Sequence, residues 1–238
     1  MRPTILIIAL ASALLLLVAA PAQALHVQMD LPQIVEQAQL VFIGTPVEVS
    51  CEHNHAGAIQ TRYRLDVERT LKGSGLLSDQ NSLELTFAGG EIGEQAMVVS
   101  GVPQLALDQR YVLLVLHDGQ SYLSPIVGQH QGLFMVQTEP ATGRELVLTA
   151  DGRMIEKIEN GRLVVGARVE LDQLGRLQAV VEQTPQANPE PPVSLDPDKV
   201  RVLDHRSAEQ PFVDTQRAMP LNEFLETLSA MIAQDQAQ

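Results

Sequence analysis

Cys51-Glu-His53-Asn-His55 is the one cluster in the chain whose residue types and spacing suit metal chemistry. In an extended segment alternate side chains point the same way, so a thiolate and two imidazoles would converge on one side. Cysteine and histidine donors suit zinc or copper, and a zinc site wants three or four such ligands. A further ligand would come from His26, His117 or His130, none of which stands at ligand spacing. The same cluster lies between two strand patterns with Gly57 after it, which reads as a polar hairpin connection. Two readings therefore stand: a zinc or copper site at Cys51, His53 and His55, and a solvent-exposed connection in which Cys51 is a free or half-buried thiol.

Other residue types with chemical potential lack the setting their chemistry needs. Gly89-Gly90-Glu-Ile-Gly93 has the glycines of a phosphate cradle, but a cradle needs a following helix with Lys and Ser/Thr. The next segment here reads as a strand, so a β-turn is expected. Neither Ser100 nor Ser124 sits in a G-x-S-x-G elbow. Asp204, His205 and Ser207 have triad residue types but follow a Pro-rich stretch, and a triad needs a rigid scaffold. Arg62, Arg64, Arg69 and Lys72 make a small basic face on one strand pattern, which cross-strand carboxylates would balance.

The elements that must position these residues begin after an export signal. Arg2 precedes an uncharged apolar run at 5–20, then Pro21 and Ala22-Gln-Ala24, the positive start, apolar middle and small-residue triplet of a secretory signal peptide. The run is shorter than the ~20 apolar residues of a spanning helix, so cleavage after Ala24 is expected, giving a mature N-terminus at Leu25. The product would be periplasmic or secreted, with no membrane attachment after cleavage. Lys and Arg number 16 against 29 Asp and Glu, a net charge of −13, which repels nucleic acid and anionic lipid. Cys51 is the single cysteine, so no intrachain disulfide exists. The chain has no Trp and eight Tyr and Phe in all, so its core must be largely aliphatic.

Asp30-Leu-Pro-Gln33 opens like a short helix, with Asp30 as cap and Leu31, Ile34, Val35 and Ala38 on one face. From Leu40 the period changes. Residues 40–44 form an apolar run, continued by Val47 and Val49 past Pro46, which should mark an edge or bulge. At 61–68, Thr61, Tyr63, Leu65 and Val67 alternate with charged residues as in a half-buried strand. Leu83, Leu85 and Phe87 repeat that period, and 96–99 is a further short strand. Residues 110–116 are apolar almost throughout and belong deep in a sheet. Asp118-Gly119 should turn them into a strand at 121–127, followed by one at 132–136. A hairpin ladder follows at 145–149, 154–158, 163–169 and 177–181, with turns at Asp151-Gly152 and Asn160-Gly161. After the prolines comes a strand at 200–203, then a helix with Leu221, Phe224, Leu225, Leu228, Met231 and Ile232 at helical spacing.

The order of Leu40-Val-Phe-Ile-Gly44, Thr61-Arg-Tyr-Arg-Leu-Asp-Val-Glu-Arg-Thr-Leu-Lys-Gly73, Gly89-Gly90 and Tyr111-Val-Leu-Leu-Val-Leu-His-Asp-Gly119 resembles the netrin-like, OB-type barrel of tissue inhibitors of metalloproteinases. It is similar also to exported bacterial proteins of unassigned role. The resemblance spans about residues 34–136 and implies a barrel. Those inhibitors chelate the protease zinc through an N-terminal cysteine held by disulfides. With Leu25 at the expected N-terminus and Cys51 alone, that mechanism and its residues do not carry over.

The fold expected is mainly β: an antiparallel OB-like barrel extended by β-hairpins, with a short N-terminal helix and a C-terminal amphipathic helix. Residues 1–24 are the signal peptide, 25–182 the β-barrel-type domain, 183–198 a Pro-rich linker and 199–238 a C-terminal segment with the helix. No coherent catalytic set is present, so an exported non-catalytic module binding a protein partner or other ligand is expected. The alternative is a metal-binding protein or metal-dependent enzyme using Cys51, His53 and His55.

Overall fold

A computed structural model describes residues 28–77, 81–139, 142–171, 177–179 and 215–237. The expected signal peptide, the expected Pro-rich linker, the strand expected at 200–203 and the Asp204, His205 and Ser207 group lie outside the described residues.

The first element among the described residues is helix α1, Leu31–Gln37. Gln33 accepts the Asp30 amide at 3.0 Å, one half of the reciprocal bonding of a capping box. Eleven strands follow among the described residues: β1 Leu40–His53, β2 Ile59–Lys72, β3 Ser82–Ala88, β4 Gly90–Ile92, β5 Gln95–Met97, β6 Tyr111–Val115, β7 Leu133–Thr138, β8 Glu145–Thr149, β9 Arg153–Glu159, β10 Arg162–Leu171 and β11 Leu177–Ala179. Helix α2, Leu221–Asp235, ends the fold. Nine strands form one sheet in the order β11-β10-β9-β8-β7-β6-β1-β2-β3, while β4 and β5 form a separate hairpin. Every pairing is antiparallel.

The non-alternating runs at 40–43 and 111–115 are explained by position. β1 and β6 are neighbours at the middle of the sheet and are covered on both faces. Val41, Ile43, Val112 and Leu114 face a core completed by α1 and α2, while Leu40, Phe42, Leu113 and Val115 face one shared with Leu65, Leu85 and Phe87. In α2 the side chains of Leu221, Phe224, Leu225, Leu228 and Ile232 are all buried, so the helical stripe docks on its own chain. The Phe224 ring meets Phe134 at 4.9 Å between centroids. Burying each such side chain contributes about 1.5–3 kcal/mol. Among the described residues no helix is long and apolar enough to cross a membrane.

The expected barrel does not close. Among the described residues β3 and β11 are both edge strands of an open sheet. Closure would need the chain after β6 to return along β3, and it does not. The strand expected at 121–127 is instead a loop that meets the sheet through one bridge, Val115 to Ile126. Pro125 lacks an amide donor, and both Gly128 and Gln129 have φ of 63°, which breaks an extended run. The hairpins from β7 onward then build outward on the other side of β6, away from β3. The turn readings at Asn160-Gly161 and Asp151-Gly152 hold. Asn160 and Gly161 take φ of 51° and 79° between β9 and β10, as a two-residue hairpin turn requires.

Candidate binding cleft

A bulge in β1 decides which way its far half points. Pairing with β2 runs through Pro46↔Leu65 and resumes at Glu48↔Arg64, leaving Val47 as the extra residue. One inserted residue exchanges the faces that odd and even positions occupy. Thus Leu40 and Phe42 face the same core as Tyr63 and Leu65, but beyond the bulge odd-numbered Cys51 turns inward. Its Sγ lies 3.4 Å from the Thr61 hydroxyl, which itself donates to the Gly89 carbonyl at 2.7 Å. Gly90 is required here, because a Cβ on it would stand 2.9 Å from Cys51 Sγ.

Cys51 and His53 share a face at the end of β1, as the alternation predicts, and Cys51 is half-buried and unpaired with any cysteine. His55 lies beyond the end of the strand. The Asn54 side chain accepts the amides of Ala56 and Ala58, each at 3.0 Å, and this turn ends the alternation that would align His55 with the other two. His53 Nδ1 is 3.2 Å from the Gly57 carbonyl. Among the described residues no group of three or more His, Cys, Asp or Glu is arranged to hold a metal ion. His117 lines a cleft that Asn54 also borders, and His130 borders a cavity of about 280 Å³ beside α1. Gly89 to Gly93 is the start of the β4–β5 hairpin, with no helix after it.

A large concavity among the described residues lies where the barrel fails to close. A cleft of about 790 Å³ runs along the free edge of β3, with the loop 116–125 as its opposite wall. Asp118 shapes that loop: it accepts the Tyr122 hydroxyl at 2.7 Å and the Gln120 amide at 3.0 Å. The hydrogen bond from Tyr122 holds the Asp118 carboxyl below its ordinary range, and the same bond pushes the Tyr122 phenol up. Leu123 is 63% exposed at the cleft wall, and Val98, at the end of the adjacent β4–β5 hairpin, is 92% exposed. Exposed apolar side chains beside a concavity are a common feature of binding surfaces.

The backbone of β3 follows a fixed parity. The Asn81 carbonyl and the Gly89 amide bond to β2, whereas the Ala88 amide points away and donates to Leu123 at 2.8 Å. In an antiparallel strand both polar groups of a residue point to the same side, and the side alternates. The amides and carbonyls of Ser82, Glu84 and Thr86 therefore face away from β2, and those of Glu84 and Thr86 face the cleft.

The outer face of the same strands is charged in register. Glu48 stands opposite Arg64, and Arg64 opposite Glu84. Arg64 Nε donates to Glu48 at 3.0 Å, and Arg62 bridges Glu52 and Glu84. The Gln60 amide, first, and Arg62 hold Glu52 below the ordinary carboxylate range. The carboxylate partners expected for the basic face are thus present for Arg62 and Arg64. Lys72 instead turns to α2 and binds Asp235 at 2.8 Å.

Tyr122 and Leu123 were hidden from the sequence by the expectation of a strand. The signal that could have found them is an apolar pair set between Asp118-Gly-Gln-Ser121 and Ser124-Pro125, a composition that suits a loop. No protein-family model, no curated protein and no solved structure matches the chain.

Proposed function

We propose that this protein is an exported, non-catalytic binding module whose cleft between β3 and the loop 116–125 receives a segment of a partner protein. The observation that carries the reading is the exposure of Leu123 beside an edge of β3 that no strand among the described residues pairs with. A wall of backbone amides and carbonyls suits another polypeptide better than a small molecule, which is held by an enclosed pocket. The net charge of −13 favours a neutral or cationic partner.

The test is selection of binders from a displayed library of random peptides on the mature protein. Binders should be enriched on the wild type and lost on Leu123→Asp, a variant that keeps its melting temperature because the side chain is exposed. Enriched peptides that bind both proteins equally would place the site elsewhere and sink the reading. Export has its own check. Mass spectrometry should find Leu25 as the first residue, and retention of Met1 on the mature material would refute the signal peptide.

A further inference from the structure

We infer that an extended partner segment adds to the free edge of β3 as one more strand, with a lysine or arginine opposite Glu84 and an apolar residue on either side of it. This rests on the binding reading above and specifies what the cleft takes.

The first support is the backbone. Glu84 and Thr86 present an amide and a carbonyl each toward the cleft, and Ser82 continues the row. Among the described residues the edge is occupied at one point, where Leu123 takes the Ala88 amide. That bond ends the free stretch and limits an added strand to the row before Ala88. An extended polypeptide pairing there supplies the donors and acceptors that water otherwise provides, which is how strand addition gains affinity.

The second support is charge. Across the outer face the residues in one row read Glu48, Arg64 and Glu84, acid then base then acid. The Glu84 side chain remains 59% exposed even with Arg62 at 3.6 Å. The next position in the row is a cation, since opposite charges directly across a strand pair attract and like charges repel. Residues flanking that cation point to the other face, level with Leu83 and Leu85 and toward the apolar wall at Leu123. The recognised pattern is therefore apolar, basic, apolar.

A second copy of this chain is a poorer occupant. The register that uses all of Ser82, Glu84 and Thr86 sets two Glu84 carboxylates face to face, where like charges repel.

The experiment uses a labelled, end-capped pentapeptide, Thr-Val-Lys-Val-Thr, titrated by fluorescence anisotropy against the mature full chain. It should bind. A lysine-to-glutamate peptide should bind roughly threefold to tenfold more weakly, the effect of exchanging an attractive for a repulsive cross-strand pair. Glu84→Lys, a change at an exposed side chain, should reverse that preference. Methylating the lysine amide nitrogen of the peptide removes the donor aimed at Glu84 and should abolish binding. No binding by the lysine peptide, an unchanged preference in Glu84→Lys, or equal binding of the methylated peptide overturns strand addition. So does a dimer by light scattering that Glu84→Lys alters and peptide does not compete. Library peptides that still require Leu123 while ignoring amide methylation would overturn this inference and leave the cleft as a binding site.

Discussion

Ala88 donates its amide to the carbonyl of Leu123 over 2.8 Å, and this bond stops the open edge of β3 at its last residue. It is also the point at which the loop 116–125 is tied to the strand it faces. Amide exchange should register the parity of the edge directly. Ala88 should exchange roughly tenfold more slowly than Thr86 or Glu84, because its donor is occupied and theirs face solvent. Equal exchange at the three amides would mean that the edge is covered.

Phe224 has no exposed surface and meets Phe134 edge-on at the junction of α2 with the sheet. Phe224→Ala should lower unfolding stability by about 3–5 kcal/mol, the cost of deleting a buried aromatic side chain and leaving a cavity. Denaturant unfolding measures it. A loss below about 1 kcal/mol would show that α2 does not dock as described.

Lys72 ties three elements together. Its ammonium donates to the Val35 carbonyl at the end of α1 at 2.9 Å and to the Asp235 carboxylate at the end of α2 at 2.8 Å. Only 14% of its side-chain surface is exposed, so water cannot replace both partners freely. Lys72→Met should cost about 1–3 kcal/mol. A double-mutant cycle with Asp235→Asn should give a coupling of about 1 kcal/mol, and zero coupling would dismiss the pair.

The Asp118–Tyr122 bond should confine the loop 116–125 to a window of pH. Asp118 has its carboxyl depressed chiefly by the Tyr122 hydroxyl. Its contribution to loop order is therefore complete above the ordinary carboxylate pKa and is lost as pH falls through the depressed value. Tyr122 has its phenol raised, chiefly by the same bond, so its contribution is complete below the ordinary phenol pKa and is lost as pH rises through the raised value. Tyr122→Phe should return the Asp118 titration toward its ordinary range in a carboxyl-carbon NMR experiment. An identical Asp118 titration in the variant would assign the depression to another cause.

Gly90 has φ of 135° and faces the Thr61 hydroxyl and Cys51 Sγ. Gly90→Ala should destabilise the fold by about 1–3 kcal/mol through backbone strain. It should also speed thiol labelling at Cys51 by displacing the side chain from Thr61. Zinc added to the wild type should leave the melting temperature unchanged, since His55 lies beyond the end of β1 and no three such donors are arranged to hold a metal among the described residues. A stoichiometric rise in melting temperature that Cys51→Ser abolishes would establish the metal reading.

Some features were legible because they are local. The cap at Asp30, the Asn160-Gly161 turn and the α2 stripe depend on residues a few positions apart, and each formed as its spacing requires. The unbroken runs at 40–43 and 111–115 signalled burial on both faces, because only a strand with no solvent side can omit polar residues. Other features depend on which distant segments pair. Alternation at 83–87 shows one wet face and one dry face, but not whether a further strand lies beside it, so the open edge of β3 was invisible. The Pro46–Glu48 bulge was marked by proline alone. That it turns Cys51 inward follows from the register against β2, and a shift of one residue there reverses every later side chain. The sequence by itself determined the two helices, most of the strands and which of their faces are apolar, but not that the segment 121–127 is a loop. The tertiary structure decided where the sheet ends, since strand pairing is a choice among distant partners that local periodicity does not encode.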